Sequence, residues 1–229
     1  MIVRIVVPAS NRREIDSRCL NSVERLISSG LASFDYVPAY STEIGMGRAS
    51  AVLAIKQADG SFIEEIDNTL SKPLPKFDFV LSLDSDVEFQ VEDFEILFDA
   101  YLQYKTIVAG CFKARFNKEV INAGYFGKNA APLIDHDRDI LISDLSLYAG
   151  KSALRVDWSS FGFSLIPRDV LCQVEKPWFA NYVYKYRDKT GLDSFRFIHE
   201  DVSFSEQLFK KDIPLIVVPS CFVNHLIKE

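Results

Sequence analysis

Two aspartates, Asp84 and Asp86, follow a short apolar segment and have the spacing to bind one cation. The segment before them, Phe79–Leu83, is apolar except for one serine, as in an interior parallel strand. In open α/β sheets, ligands lie beyond the carboxyl ends of the strands, where this pair falls. Residues two apart on an extended backbone point to the same side, so both carboxylates can face one ion. Asp and Ser are also common turn residues, so Asp84-Ser85-Asp86 alone fits a polar turn as well.

Composition excludes several classes of protein. The chain has 229 residues and a net charge of −6, with no basic block or aromatic-plus-arginine motif, which disfavours a nucleic-acid partner. No apolar run approaches the roughly 20 residues that span a bilayer, and we expect no signal peptide. The four cysteines are widely separated and indicate neither a zinc site nor a disulfide framework. We therefore expect one cytoplasmic domain without a membrane span.

Apolar periodicity predicts alternating strands and helices around the two aspartates. A helix is expected to begin at Asp16 as its N-cap, and a short helix is expected after Pro167. The remaining predicted strands cover 2–7, 34–40, 79–83, 106–112, 155–158, 161–166 and 213–218, and the remaining helices cover 48–58, 91–102 and the segment after Asp201. Over 113–151, including the charged run 135–139, the pattern predicts short strands and a mobile loop. The aromatic stretch 178–186 is predicted to form an exposed patch for a partner or an acceptor.

Other residues that could take part in binding or catalysis occur elsewhere in the chain. Glu200-Asp201 precede a helix, and His225 lies close to the end of the chain. Each also has an ordinary structural role, because Asp commonly caps helices and a single histidine is commonly a core or surface residue. For Arg48 the alternatives are an anion contact and an exposed helix position. For Trp158 they are a sugar-binding face and a core position.

In their order along the chain, Asp84-Ser85-Asp86, the segment 158–163, Glu200-Asp201 and Val223-Asn224-His225 resemble a small stand-alone glycosyltransferase of the GT-A fold. The resemblance covers almost the whole chain. It implies a single α/β domain with a central mixed sheet flanked by helices, divided into a Rossmann-like nucleotide-sugar-binding half, 1–112, and an acceptor-binding half, 113–229. It also implies a nucleoside-diphosphate sugar donor and an acceptor hydroxyl on a glycan, a protein or a small molecule.

The resemblance further implies roles for individual residues. A divalent cation would be held by Asp84, Asp86 and His225, with Asp86 as a direct ligand and Asp84 reaching the metal through water or contacting the ribose. A site of carboxylates and one imidazole favours Mn²⁺ over Mg²⁺. Asp201, with Glu200 beside it, would be the catalytic or acceptor-binding carboxylate. The expected donor contacts are Pro8, Ala9, Ser10, Ser41, Arg48, Asp84, Ser85, Trp158 and Gly162.

Elementary chemistry agrees with these roles. Negative charge builds on a diphosphate as the sugar leaves, and a cation held by carboxylates stabilises it. A carboxylate that takes the acceptor proton favours attack on the anomeric carbon, and Asp201 in that role slightly favours inversion. A sugar-phosphate nucleotidylyltransferase remains an alternative, although the loop 8–13 lacks the glycines of a phosphate-binding loop. A non-catalytic nucleotide-sugar-binding module also remains open.

Overall fold

The computed structural model describes residues 1–10, 15–41, 43–56, 62–63, 75–115, 117–126, 134–145, 153–187 and 191–226, with backbone alone at 10, 55–56, 62–63 and 134–138. The helices are α1 Ser17–Ser28, α2 Ile44–Leu53, α3 Val91–Tyr104, α4 Ile142–Leu145, α5 Arg168–Gln173 and α6 Glu200–Lys210. The longer strands are β1 Ile2–Ser10, β2 Ser33–Ser41, β5 Phe79–Leu83, β7 Ile107–Cys111, β8 Val120–Phe126, β9 Ile134–Leu141, β12 Phe163–Pro167, β13 Tyr182–Arg187, β14 Asp193–Ile198 and β15 Leu215–Phe222. The short strands are β3 Ile55–Lys56, β4 Phe62–Ile63, β6 Val87–Glu88, β10 Leu154–Val156, β11 Trp158–Ser159 and β16 Asn224–His225.

A seven-stranded mixed sheet forms the centre of the molecule, in the order β10-β15-β7-β12-β5-β1-β2. β1 runs parallel to β2 and β5, and β7 runs parallel to β15. β12 is antiparallel to both β5 and β7, so a strand from the second half of the chain lies between two from the first. The predicted α/β architecture, with a central mixed sheet flanked by helices, is confirmed.

Helices cover both faces of this sheet because alternate residues of each strand point to opposite faces. On β1, Val3 and Ile5 pack in a cluster with residues of α1 and α3, whereas Val6 packs in a second cluster with residues of α2 and α6. All five residues of β5 are buried, as expected for an interior strand. The side chain of Asp16 accepts a hydrogen bond from Arg18 N, which confirms it as the N-cap of α1.

The predicted helix over 48–58 differs from the observed one. α2 begins earlier, at Ile44, and ends at Leu53, and the backbone at 55–56 forms β3; position 58 lies outside the described residues. The buried guanidinium of Arg4 on β1 donates to the carbonyls of Val52 and Ala54, at 2.8 and 2.7 Å. These bonds satisfy carbonyls that a helix end leaves without partners, so a contact distant in sequence stabilises the end of α2.

Two other regions differ from the predictions. The charged run 135–139 was expected in a loop, but its backbone belongs to β9, which pairs with β8. The aromatic stretch 178–186 was expected to form an exposed patch, but its first two residues, Trp178 and Phe179, are buried, with Phe179 in the core beside Phe204. Among the described residues, no helix is long and apolar enough to cross a bilayer.

Candidate active site

Arg48 joins two carboxylates that are far apart in sequence. It lies on α2, and its Nη2 donates to Asp84 Oδ1 at 2.7 Å while its Nη1 donates to Asp201 Oδ1 at 2.5 Å. The Arg48 side chain is 1% exposed, and those of Asp84 and Asp201 are 25% and 21% exposed. The alternative of an exposed helix position for Arg48 is therefore wrong. Asp201 is not the cap of α6 either, because the N-cap is His199.

Glycine at position 45 allows α2 to lie close to Phe179 and to the first residue of α6, and so places Arg48. A Cβ atom added at Gly45 would lie 2.1 Å from the Phe179 carbonyl oxygen and 2.9 Å from Glu200 Cβ. Gly45 and Gly47 belong to the first turn of the helix, before its predicted start at Arg48. Phe179 adopts a left-handed conformation, with φ of 55°, and its ring lies 5.3 Å from the Arg48 guanidinium. This contact adds a cation–π interaction to the two ion pairs.

Gly162 holds Asp84 in place. The Asp84 amide donates to the Gly162 carbonyl at 2.8 Å, and a Cβ atom added at Gly162 would lie 2.5 Å from Asp84 Oδ2. The same atom would lie 2.8 Å from Phe112 Cζ. Gly162 was predicted to contact the donor, but in the structure the space beside its Cα is occupied by the Asp84 carboxylate. A direct contact of Gly162 with the donor stays a prediction.

Asp86 and His225 form a second pair at the same edge of the sheet. The antiparallel pairing of β6 with β16 places His225 opposite Val87, and Leu226 N donates to the Asp86 carbonyl at 2.7 Å. As a result, His225 Nε2 lies 3.4 Å from Asp86 Oδ1. The predicted proximity of these two side chains is observed. Arg115 also contacts this pair and donates to Asp86 Oδ2 at 2.7 Å.

The surroundings of His225 fit a cation. Its Nδ1 lies 3.3 Å from the Lys113 carbonyl, which can only accept, so Nδ1 donates and Nε2 keeps a lone pair when the ring is neutral. Nε2 is buried and makes no hydrogen bond. Two acceptors that face each other at this distance need a proton or a metal ion between them. Asp86 and His225 are therefore suited to share a cation.

A metal at this pair would need further ligands from a substrate. Among the described residues, no three His, Cys, Asp or Glu side chains converge closely enough to hold an ion by themselves. Asp84 Oδ1 faces Arg48 rather than Asp86. Mg²⁺ and related ions in nucleotide sites commonly bind one or two carboxylates and complete their shell with phosphate oxygens and water. The donor set fits such an ion, and the roles of Asp84, Asp86 and His225 as ligands stay a prediction.

Charge interactions shift the protonation of these groups. Burial raises the pKa of Asp84; Arg48 opposes this shift, but Asp201 and Asp86 add to it. For Asp86, burial acts to raise the pKa, but His225 and Arg115 outweigh it and the pKa is lowered. For His225, burial acts to lower the pKa, but the Asp86 carboxylate raises it. Without a metal, a proton on Nε2 thus pairs with Asp86, and a cation would replace that proton.

Glu200 gives the site a pH-dependent stability. Burial, followed by the charge of Asp201, raises the pKa of Glu200 from 4.5 to about 7. Folding therefore disfavours the ionised form, so the free energy of unfolding falls as pH rises from 4.5 through about 7 and stays lower above it. Glu200→Gln removes this penalty. We expect its melting temperature, measured by circular dichroism, to exceed that of wild type at about pH 8 and to converge with it near pH 4.

The matched control is Glu24→Gln, which changes an exposed carboxylate on α1. Its melting temperature should be close to that of wild type at both pH values. A constant difference between Glu200→Gln and wild type across this range would contradict the assignment.

Several predicted donor contacts lie at the same edge of the sheet. Pro8 and Ala9 are buried near the end of β1, and the side chain of Ser10 is outside the described part. A Cβ atom added at Gly47 would lie 3.1 Å from Ser41 Cβ and 3.7 Å from Pro8 Cβ, so these residues meet beside the first turn of α2. The Ser85 carbonyl accepts from the amide of Asp16 at 2.9 Å. Contacts of Pro8, Ala9, Ser10, Ser41 and Ser85 with a donor stay predictions.

Trp158 has a packing role in the structure. It contacts an apolar cluster of Phe126, Ile198 and Val202, and a Cβ atom added at Gly124 would lie 2.9 Å from Trp158 Nε1. The ring thus lies against the Gly124 backbone. The core alternative for Trp158 is observed in part, because the residue is half-buried, and a sugar-binding role stays a prediction.

Two cavities bear on the position of a ligand. A cavity of about 440 Å³ lies beside His225 and is lined by Lys113, Lys118 and Asn224, among others. A cavity of about 1030 Å³ is lined by Ile2, Phe79 and other residues at the amino ends of β1 and β5. The larger cavity lies at the opposite edge of the sheet from the carboxylates and contains none of the predicted site residues. The smaller cavity is the one next to the Asp86–His225 pair.

Comparisons with known proteins establish similarity of fold. No protein-family model and no curated protein matches the chain in sequence. The crystal structure of A197 from STIV matches over 100% of this chain and 87% of that chain, with 14% identity and a TM-score of 0.57. The structure of 4-diphosphocytidyl-2C-methyl-D-erythritol synthase from Anaerococcus prevotii matches over 100% of this chain and 90% of that chain, with 13% identity and a TM-score of 0.46. At this identity, the similarity to A197 shows a common fold alone.

Proposed function

We propose that this chain is a metal-dependent glycosyltransferase of the GT-A type, which moves a sugar from a nucleoside-diphosphate sugar to an acceptor hydroxyl. The observation that supports it is the convergence of five side chains at the carboxyl edge of one mixed sheet. Arg48 bridges Asp84 and Asp201, and Asp86 lies beside His225. Ligands of open α/β sheets bind at this edge.

The donor diphosphate would bind on the side of Asp86 and His225. A divalent ion held by these two residues would supply positive charge to the diphosphate as the sugar departs. Arg115 now neutralises Asp86 Oδ2, but its side chain is 40% exposed. It is therefore free to turn toward phosphate oxygens, which match a guanidinium in geometry and charge. Lys113 and Lys118, in the adjacent cavity, add further positive charge.

The acceptor would bind on the side of Asp201. As the bond from the anomeric carbon to the diphosphate breaks, the acceptor oxygen forms a new bond to that carbon and its proton passes to the Asp201 carboxylate. Arg48 orients Asp201 through the 2.5 Å contact. Attack from the face opposite the leaving group gives inversion, which this arrangement favours slightly.

A donor-hydrolysis assay tests the proposal. Purified protein is incubated with a panel of nucleotide-sugars in the presence of Mn²⁺, Mg²⁺ or a chelator, and release of nucleoside diphosphate is measured. We expect turnover with Mn²⁺ that the chelator abolishes, and we expect Asp86→Ala to reduce it to the chelated level. The reason is that Asp86 offers the carboxylate that faces the buried Nε2 of His225 at 3.4 Å.

The matched control is Asp212→Ala, which removes an exposed carboxylate that pairs with Arg155. It should retain wild-type turnover. Turnover that survives Asp86→Ala would refute the metal assignment. Formation of pyrophosphate from a nucleoside triphosphate and a sugar 1-phosphate would instead identify a nucleotidylyltransferase. Binding of nucleotide-sugar without any turnover would identify a non-catalytic module.

A further inference from the structure

The hairpin of β13 and β14, which directly precedes α6, has one face turned to solvent. The two strands pair antiparallel, with Val183 opposite Phe197 and Lys185 opposite Phe195. Residues alternate between the two faces of a strand, so these four side chains lie on the same face. The opposite face packs inward: Tyr182 donates a hydrogen bond to Glu206 on α6, and Ile198 is buried. The hairpin is thus anchored on one side and open on the other.

The open face is strongly apolar. Val183, Phe195 and Phe197 are 62%, 68% and 53% exposed, and Leu192, just before β14, is 67% exposed. Single exposed apolar residues are ordinary, but a group of large ones on one small element indicates an interaction surface.

Positive charge accompanies the apolar residues. Lys185 and Arg187 lie on the open face and share one acidic neighbour, Asp193, at 2.7 and 3.6 Å. On the open face, the two strands carry two basic side chains against one acidic side chain, whereas the whole chain has a net charge of −6. The open face therefore differs in sign from the chain as a whole. An apolar face with a basic border matches the interface of a bilayer that contains anionic lipids.

We propose that this face docks the protein on an anionic lipid bilayer. Phe195 and Phe197 enter the boundary between headgroups and acyl chains, and Lys185 and Arg187 contact lipid phosphates. A second copy of the chain fits less well, because a two-fold contact through this face presents the same basic side chains on both surfaces. The proposal does not depend on the transferase reaction, since none of these residues belongs to the candidate active site.

Vesicle co-sedimentation tests the proposal with the full chain. We expect binding to vesicles of phosphatidylcholine mixed with phosphatidylglycerol, weak binding to phosphatidylcholine alone, and a decrease with added salt. The double variant Phe195→Ser with Phe197→Ser should lower partitioning to the mixed vesicles by about tenfold or more. Lys185→Gln with Arg187→Gln should lower it by about tenfold on mixed vesicles and hardly change it on neutral ones. Leu102→Ser, at an exposed apolar position on α3, is the matched control and should bind like wild type.

A second readout keeps the proposal testable if a double variant folds poorly. Phe195→Trp places a reporter on the open face, whereas Trp178 is buried and Trp158 is half-buried. Its emission should shift to the blue with mixed vesicles and be quenched by brominated lipid. No shift, or equal vesicle binding by wild type and the serine double variant, would overturn the proposal. Dimerisation that depends on Phe195 and Phe197, without vesicle binding, would also overturn it. Asp86→Ala should still bind vesicles, which separates this test from that of the reaction.

Discussion

Asp201→Asn is expected to reduce sugar transfer by about 10²–10⁴-fold, the usual contribution of a general base, and to leave donor binding close to wild type. Asparagine has the same shape as aspartate and keeps an oxygen that can accept from Arg48 Nη1, so the position of Arg48 should persist. The amide cannot take a proton from the acceptor, so the rate of the chemical step should fall. Single-turnover transfer rates and calorimetric binding of the nucleoside diphosphate with Mn²⁺ would measure the two effects separately.

Two variants sharpen this test. Asp212→Asn changes an exposed carboxylate outside the site and should be neutral for both quantities. Glu200→Gln should cost less transfer than Asp201→Asn, because Glu200 is not among the hydrogen-bond partners of Arg48. A larger loss of transfer in Glu200→Gln would indicate that Glu200, and not Asp201, is the general base. Parallel loss of binding and transfer in Asp201→Asn would make Asp201 a structural partner of Arg48.

Local signals in the sequence predicted much of the fold. The all-buried strand β5 was predicted from a short apolar run, and α1 from its cap at Asp16 and its apolar spacing. The carboxyl edge of a sheet then gave the location of Asp84 and Asp86 without any knowledge of tertiary contacts. Such signals depend on residues that are near each other in sequence, which is why they can be read from one chain.

Other features depend on contacts that no local pattern contains. Arg48 is buried because Asp84 and Asp201 together neutralise its charge and because Gly45 lets α2 pack closely against Phe179. His225 reaches Asp86 through two strands of two residues each, too short to show periodicity. That proximity was expected from the family resemblance and not from the pattern of residues.

The β13–β14 hairpin escaped prediction for a different reason. Alternation predicts strands by placing polar residues on the exposed face, but here that face carries Val183, Phe195 and Phe197. Tyrosines occupy the other face of β13, so large apolar or aromatic side chains occur on both faces of the hairpin. The exposed apolar side chains obscure the alternation that predicts a strand, and they also indicate an interaction surface. A local rule thus failed where the surface departs from ordinary solvent exposure.

Arg48→Met is expected to lower the free energy of unfolding by about 2–3 kcal/mol near neutral pH, because it leaves two carboxylates without their cation. Loss of one partner from a fully buried pair costs about 3–5 kcal/mol, but Asp84 and Asp201 are 25% and 21% exposed, and water reduces the cost. Without Arg48, the pKa of Asp84, already raised by burial, rises further, so the variant binds protons more readily when folded. Its deficit relative to wild type should therefore shrink as pH falls from about 8 to about 5.

Urea denaturation at both pH values measures this deficit, and Arg155→Met provides the control. Arg155 forms an ion pair with Asp212 between exposed side chains, so its loss should cost less than about 1 kcal/mol. Methionine keeps most of the volume of Arg48, so a cavity contributes little to the expected loss, and the cation–π contact with Phe179 is lost together with the ion pairs. A deficit that stays constant with pH would mean that Arg48 acts through packing. A deficit that grows at high pH would show that the charge of Arg48 stabilises the two carboxylates in their ionised forms.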